Sequence, residues 1–133
     1  MTVRVGFVTC VQLGLSCMEE IYKCGGKLDA VMTLPDDRAR AKSGRVYLDD
    51  FCAATGVPLA KFANINDLAA VSWIQQMKLD WLLIIGWSQI ARSELLAAVE
   101  RGAIGMHPTL LPEGRGRSAI PWTILKGLSV TGV

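Results

Sequence analysis

The sequence predicts an α/β domain, Rossmann-like, with a mostly parallel sheet and helices on both faces. Three observations predict it. Short β-rich apolar runs alternate with segments of helical period. The strand candidates at 3–8 and 81–85 are apolar with little alternation, as strands covered on both faces are. The 133 residues are 51% hydrophobic with 13 Gly and only 5 Pro, which excludes disorder and allows one core without disulfide staples.

The elements follow in order. Residues 3–8 form the first expected strand, ending at Thr9 and Cys10. Leu13, Cys17, Ile21 and Cys24 recur at helical spacing until Gly25 and Gly26 stop the helix. A second strand spans 28–34, ended by Pro35 and Asp36. Residues 36–45 show no apolar period and read as either a solvated loop or a substrate-facing one. Leu48, Phe51, Cys52 and Thr55 predict a short helix closed by Gly56. Pro58 leads a weak strand to Phe62, at the sheet edge where proline is tolerated. Asn66 and Asp67 cap a helix carrying Leu68, Val71, Ile74 and Met77.

Residues 81–85 predict the central strand. Ser93 and Glu94 open a helix through Leu95, Leu96 and Val99 that Gly102 closes. A short strand at 103–106 ends at His107 and Pro108, and a last helix runs from about Pro121 to Gly127.

Several function classes recede at this point. Fourteen Lys and Arg against twelve Asp and Glu give a net charge of +2, too small for a nucleic-acid footprint built on charge alone. Cys10, Cys17, Cys24 and Cys52 contain no C-x-x-C pair and lie far from the single His107, so no metal site is expected. Cys17 and Cys24, seven apart, read as reduced thiols packed on one helix face, in keeping with a cytoplasmic protein. Residues 1–17 are mostly apolar, but Thr9 and Gln12 break the run and its basic flank is thin. The stretch reads as a buried strand rather than a signal peptide. The longest apolar run, 81–87, is far too short to span a membrane.

Ligands of an open parallel sheet sit beyond the carboxyl ends of its strands, near the reversal of strand order. That rule selects the loops 10–14, 86–90 and 107–117. The first lacks G-x-G-x-x-G, so a dinucleotide pyrophosphate has no ordinary approach to the helix N-terminus. In the third, Pro108 holds His107 in extended backbone at a strand end. Its imidazole either serves proton transfer near neutral pH or simply bonds a neighbouring carbonyl. Pro108 and Pro112 stiffen the turn, and Gly114 and Gly116 let it bend or approach a ligand. Arg115 and Arg117 offer planar donors for phosphate or carboxylate, or form a solvated basic loop.

His107-Pro108-Thr109-Leu110-Leu111-Pro112, followed by Arg115-Gly116, Ile120-Pro121-Trp122, Gly127 and Thr131-Gly132-Val133, resembles the formyltransferase family that uses 10-formyltetrahydrofolate as one-carbon donor. The segment Gly86, Trp87, Ser88, Gln89, Ile90 and Ala91 is similar to the family's as well. The resemblance implies a folate cleft at the strand ends, the pterin against residues 86–91, largely on backbone groups. It makes His107 the catalytic residue beside the formyl carbon, with Thr109, Arg115 and Arg117 on the substrate side. The implied acceptor is a primary amine, on a nucleotide-linked amino sugar or on methionyl-tRNA. The tRNA surface would then lie in a further C-terminal part.

Two departures stand against the family pattern. Gly105 occupies the position where the family usually has an Asn that donates to the developing oxyanion. The catalytic Asp of the family would follow a strand begun at Ser129 and Val130, and so would fall beyond Val133. The chain therefore reads as one N-terminal formyltransferase-like domain, truncated before its end. Its uncovered sheet edge predicts association into a homo-oligomer. The departures also motivate a different class, a non-catalytic folate-binding or interaction domain of the same fold.

Overall fold

The computed structural model describes residues 2–133, with the backbone alone for 39–41. Its elements are β1 (Val5–Val8), α1 (Gln12–Lys23), β2 (Ala30–Thr33), a 3-10 helix (Asp36–Ala41), α2 (Asp49–Thr55), β3 (Leu59–Lys61), α3 (Leu68–Met77), β4 (Trp81–Ile84), α4 (Ser93–Leu96), β5 (Gly102–Gly105) and α5 (Ala119–Leu125). The five strands form one all-parallel sheet in the order β3-β2-β1-β4-β5. The chain winds outward from β1 to β3, then returns to add β4 on the other side of β1. The reversal of strand order falls between β1 and β4, which run in register from Val5 opposite Trp81 to Val8 opposite Ile84.

Both faces of the sheet are covered, which is why the strands lack alternation. Val8, Ala30, Met32 and Leu82 face one way and pack with Ala70, Val71 and Ile74 of α3 and Leu95 of α4. Phe7 and Val31 face the other way and pack with Met18 of α1 and Cys52 of α2. Helix α1 lies so close to β1 that a Cβ on Gly14 would run into the Thr9 side chain. Burial of this kind contributes about 1.5–3 kcal/mol for each large apolar side chain.

At the amino ends of the strands, two aspartates tie the sheet together. Asp29 accepts a hydrogen bond from the Val5 amide (2.9 Å) and pairs with Arg4 (3.0 Å). Asp80 accepts from the Arg4 amide (2.7 Å) and from Arg101 Nε (3.2 Å).

The structure differs from the sequence expectations at identifiable points. The polar segment after β2 begins with a 3-10 helix rather than a loop. Cys24 is exposed, not packed, because it is the residue that follows the last turn of α1. Helix α4 ends at Leu96, well short of Val99. Helix α5 starts at Ala119, so Pro121 is its third residue rather than its first; proline is harmless in a first turn, where the amide has no intrahelical partner. Residues 128–133 form no strand, and Val130 is exposed. Met1, which opens the apolar N-terminal stretch, lies outside the described residues.

Candidate active site

The three loops chosen from the sequence converge on one cleft at the carboxyl ends of β1, β4 and β5. The cleft has a volume of about 720 Å³, and its walls include Cys10 and Val11 after β1, residues 86–90 after β4, and residues 106–108 after β5. It lies at the switch point of the sheet, where parallel α/β domains receive their ligands.

His107 stands on the wall of this cleft, half-buried. Its ring meets the carbonyl of Gly114 at 3.0 Å through Nε2. A carbonyl can only accept, so Nε2 carries the hydrogen, and in the neutral ring Nδ1 is the acceptor. One sequence reading of this histidine, the bond to a neighbouring carbonyl, is met, and the ring also lines an open cavity. The turn that follows is tight, with the Thr109 amide donating to the His107 carbonyl at 2.9 Å and the Leu111 amide to that of Thr109 at 3.0 Å. That turn brings Arg115 and Arg117 back to the cleft, both exposed.

Two of the proposed contacts do not reach the cavity. Thr109 is buried, because Gly114 folds over it so closely that a Cβ there would lie 2.7 Å from its methyl group. It faces a separate apolar hollow of about 290 Å³ behind the loop. Ala91 turns away and packs against the core under α3 and α4. Gly86, Trp87, Ser88, Gln89 and Ile90 all line the cleft. Gly86 adopts a φ of 66°, and a Cβ there would strike Val11, so only glycine joins β4 to this loop without displacing the β1 end. The indole Nε1 of Trp87 is buried without a partner.

Gly105 closes β5 in ordinary backbone. A Cβ on it would meet only the Ile84 carbonyl oxygen, at 3.8 Å. The space for a side chain exists, and the residue present leaves it empty.

Lys42 escaped the sequence reading. It leads from the 3-10 helix into a stretch that pairs antiparallel with the β1 end, Val11 opposite Arg45, and so is carried to the cleft. Its ammonium donates to the Ser88 hydroxyl across the cavity. The polar segment thus faces the cleft at its end. The only hint in the sequence was the missing apolar period. Lys42, Arg115 and Arg117 put three cations around the cleft, and no carboxylate lines it among the described residues. Cys10 sits at its base, where burial raises the thiol above its ordinary range against the opposing pull of Arg45 and Lys42. Among the described residues no group of three or more His, Cys, Asp or Glu could hold a metal. Among the described residues no helix is long and apolar enough to cross a membrane either.

Comparison with known proteins gives concordant results. A family model described as formyl transferase matches residues 30–133. The chain is 26% identical over 124 residues to a methionyl-tRNA formyltransferase of Alkaliphilus oremlandii, covering 92% of this chain and 40% of that protein. It is 29% identical over 121 residues to the bifunctional polymyxin resistance protein ArnA of Wigglesworthia glossinidia brevipalpis, covering 91% of this chain and 18% of that protein. The chain thus spans well under half the length of these relatives. Among solved structures, a phosphoribosylglycinamide formyltransferase from Bacillus halodurans superposes with a TM-score of 0.76 at 19% identity. That match covers 96% of this chain and 68% of the other.

Proposed function

The chain belongs to the formyl transferase family, and from that premise we propose that its cleft transfers a formyl group from 10-formyltetrahydrofolate to a primary amine, in the cytoplasm. The observation that carries the reading is the placement of His107 and residues 86–90 on the walls of one cavity.

The chemistry is stepwise. The pterin of the donor lies along residues 86–90, on their main-chain groups. The acceptor nitrogen attacks the formyl carbon, forming a C–N bond and placing negative charge on the formyl oxygen. Nδ1 of His107 takes the proton that the nitrogen must lose. Collapse breaks the bond from the formyl carbon to N10 of the folate, and N10 is protonated as tetrahydrofolate leaves. Proton transfer by a placed side chain contributes about 10²–10⁴ in rate. Lys42, Arg115 and Arg117, without an ion-pair partner among the described residues, would hold an anionic part of the donor or acceptor. That suits a phosphate-bearing acceptor: a nucleotide-linked amino sugar or the aminoacyl end of methionyl-tRNA.

The test is formyl transfer from labelled donor to both acceptors, by the parent chain and by His107→Ala. Transfer should fall 10²–10⁴-fold in the variant while its folate binding and melting temperature stay put. Gly105 favours one other reading, a folate-binding domain without turnover, since the usual oxyanion donor is missing. That reading takes over if the parent binds folate, transfers to neither acceptor, and binds no differently after His107→Ala.

A further inference from the structure

We propose that Asn66 and Gln89 are positioning residues for the folate donor. Their two side-chain amides lock the 86–91 loop from behind and leave its peptide groups free for the ligand. The inference rests on the formyl-transfer reading above.

The loop has no internal scaffold of its own. Main-chain pairing along β4 ends with the Ile85 amide donating to the Val8 carbonyl at 3.1 Å. From 86 to 91 no backbone–backbone hydrogen bond forms among the described residues. A stretch of this kind would ordinarily be mobile. Here it is pinned by a reciprocal pair of amides. Gln89 reaches out of the loop: its Oε1 accepts from the Ile65 amide (2.8 Å), and its Nε2 donates to the Ala63 carbonyl (2.7 Å). Asn66 reaches in: its Nδ2 donates to the Ile90 carbonyl (2.9 Å), and its Oδ1 accepts from the Arg92 amide (2.8 Å).

Each amide uses one donor and one acceptor on main-chain partners of fixed polarity, so neither can flip without losing both bonds. Asn64 steadies the arrangement, its Oδ1 accepting from the Asn66 amide (2.9 Å) and from Asn66 Nδ2 (3.3 Å). The platform itself cannot shift, because Ile65 is fully buried in the core beside Leu82 and Leu95.

Of the loop's peptide groups, only the Ile90 carbonyl is taken by this clamp. Among the described residues the other peptide groups of 86–90 remain unpaired beside the cavity, held in place before any ligand arrives, and this is the condition under which main-chain recognition gains affinity from preorganisation. Gln89 lines the cleft, yet both its polar atoms face 63 and 65. It acts through the loop rather than on the donor.

The experiment uses the full chain with Asn66→Asp and Gln89→Glu. Each variant keeps the accepting oxygen and replaces the donating nitrogen with an oxygen that opposes a carbonyl. Binding of 5-formyltetrahydrofolate, a stable analogue of the donor, is measured by calorimetry, alongside steady-state kinetics and amide hydrogen exchange. Expected are a roughly tenfold rise in analogue Kd and in donor KM, with kcat and acceptor KM changed less than threefold. Exchange at 86–92 should quicken while β4 stays protected. A folded variant that binds within twofold of the parent, or that loses kcat at unchanged donor KM, overturns the proposal. Should either acidic variant fail to fold, Asn66→Ala and Gln89→Met carry the same expectations without the opposed oxygens. A parent chain that binds no analogue sinks the formyl-transfer reading instead. The exchange rates then decide the clamp, and unchanged rates at 86–92 overturn it.

Discussion

The two ends of the sheet are built on opposite electrical plans. At the amino ends of the strands, Asp29 and Asp80 are each engaged twice, by a backbone amide and by an arginine. At the carboxyl ends, Lys42, Arg115 and Arg117 have no ion-pair partner among the described residues and line a cavity. Charges that satisfy one another hold a fold together. Charges of one sign left around a concavity attract something from outside. Substitutions should therefore separate cleanly, with stability changing at one end and chemistry at the other.

After His107→Ala, the largest expected effect also tests the carboxyl end. Gly105→Asn should raise kcat for formyl transfer by tenfold or more, since one oxyanion donor is typically worth 10²–10³ and the backbone leaves room for the side chain. An unchanged kcat would mean that another group already serves the oxyanion. Next comes the amino end. Asp80→Ala strips a partner from the Arg4 amide and from Arg101, and should cost about 1–3 kcal/mol in urea denaturation, with substrate KM values unaltered. A shift in KM there would break the contrast between the two ends. The smallest effect returns to the cleft. Arg115→Ala and Arg117→Ala should each weaken substrate binding only severalfold, more at low salt than at high, with melting temperature unmoved. A salt-independent loss would mean that these side chains act by shape rather than by charge.

What could be read from the sequence follows the same division. The strands were legible because burial on both faces leaves continuous apolar runs, as in β2, whose four residues are all buried. The cleft position of His107 and of residues 86–90 was legible because a place at a strand end already implies one beside the cleft. Lys42 was not, since nothing in a polar segment announces that it will pair with the β1 end 34 residues earlier. Asn66 looked like a helix cap, but the N-cap is Asp67, and it makes no side-chain capping bond. The real partners of Asn66 are main-chain atoms 24 and 26 residues away, and main-chain atoms are the same in every sequence. The burial of Thr109 was hidden for a related reason: its neighbours along the chain reach the cavity, but Gly114 folds over it.

The loop beyond β4 also has a consequence for tolerance to change. On the proposed reading, in which the donor is held by peptide groups, the loop asks little of the side chains that do not anchor it. Ile90, 85% exposed, could be exchanged for almost any residue without erasing the recognition pattern. The vulnerable letters are Gly86 and Gln89 within the loop and Asn66 in a turn two dozen positions upstream. Drift at Ile90 would be silent, while a single altered amide at Gln89 or Asn66 would loosen the whole stretch.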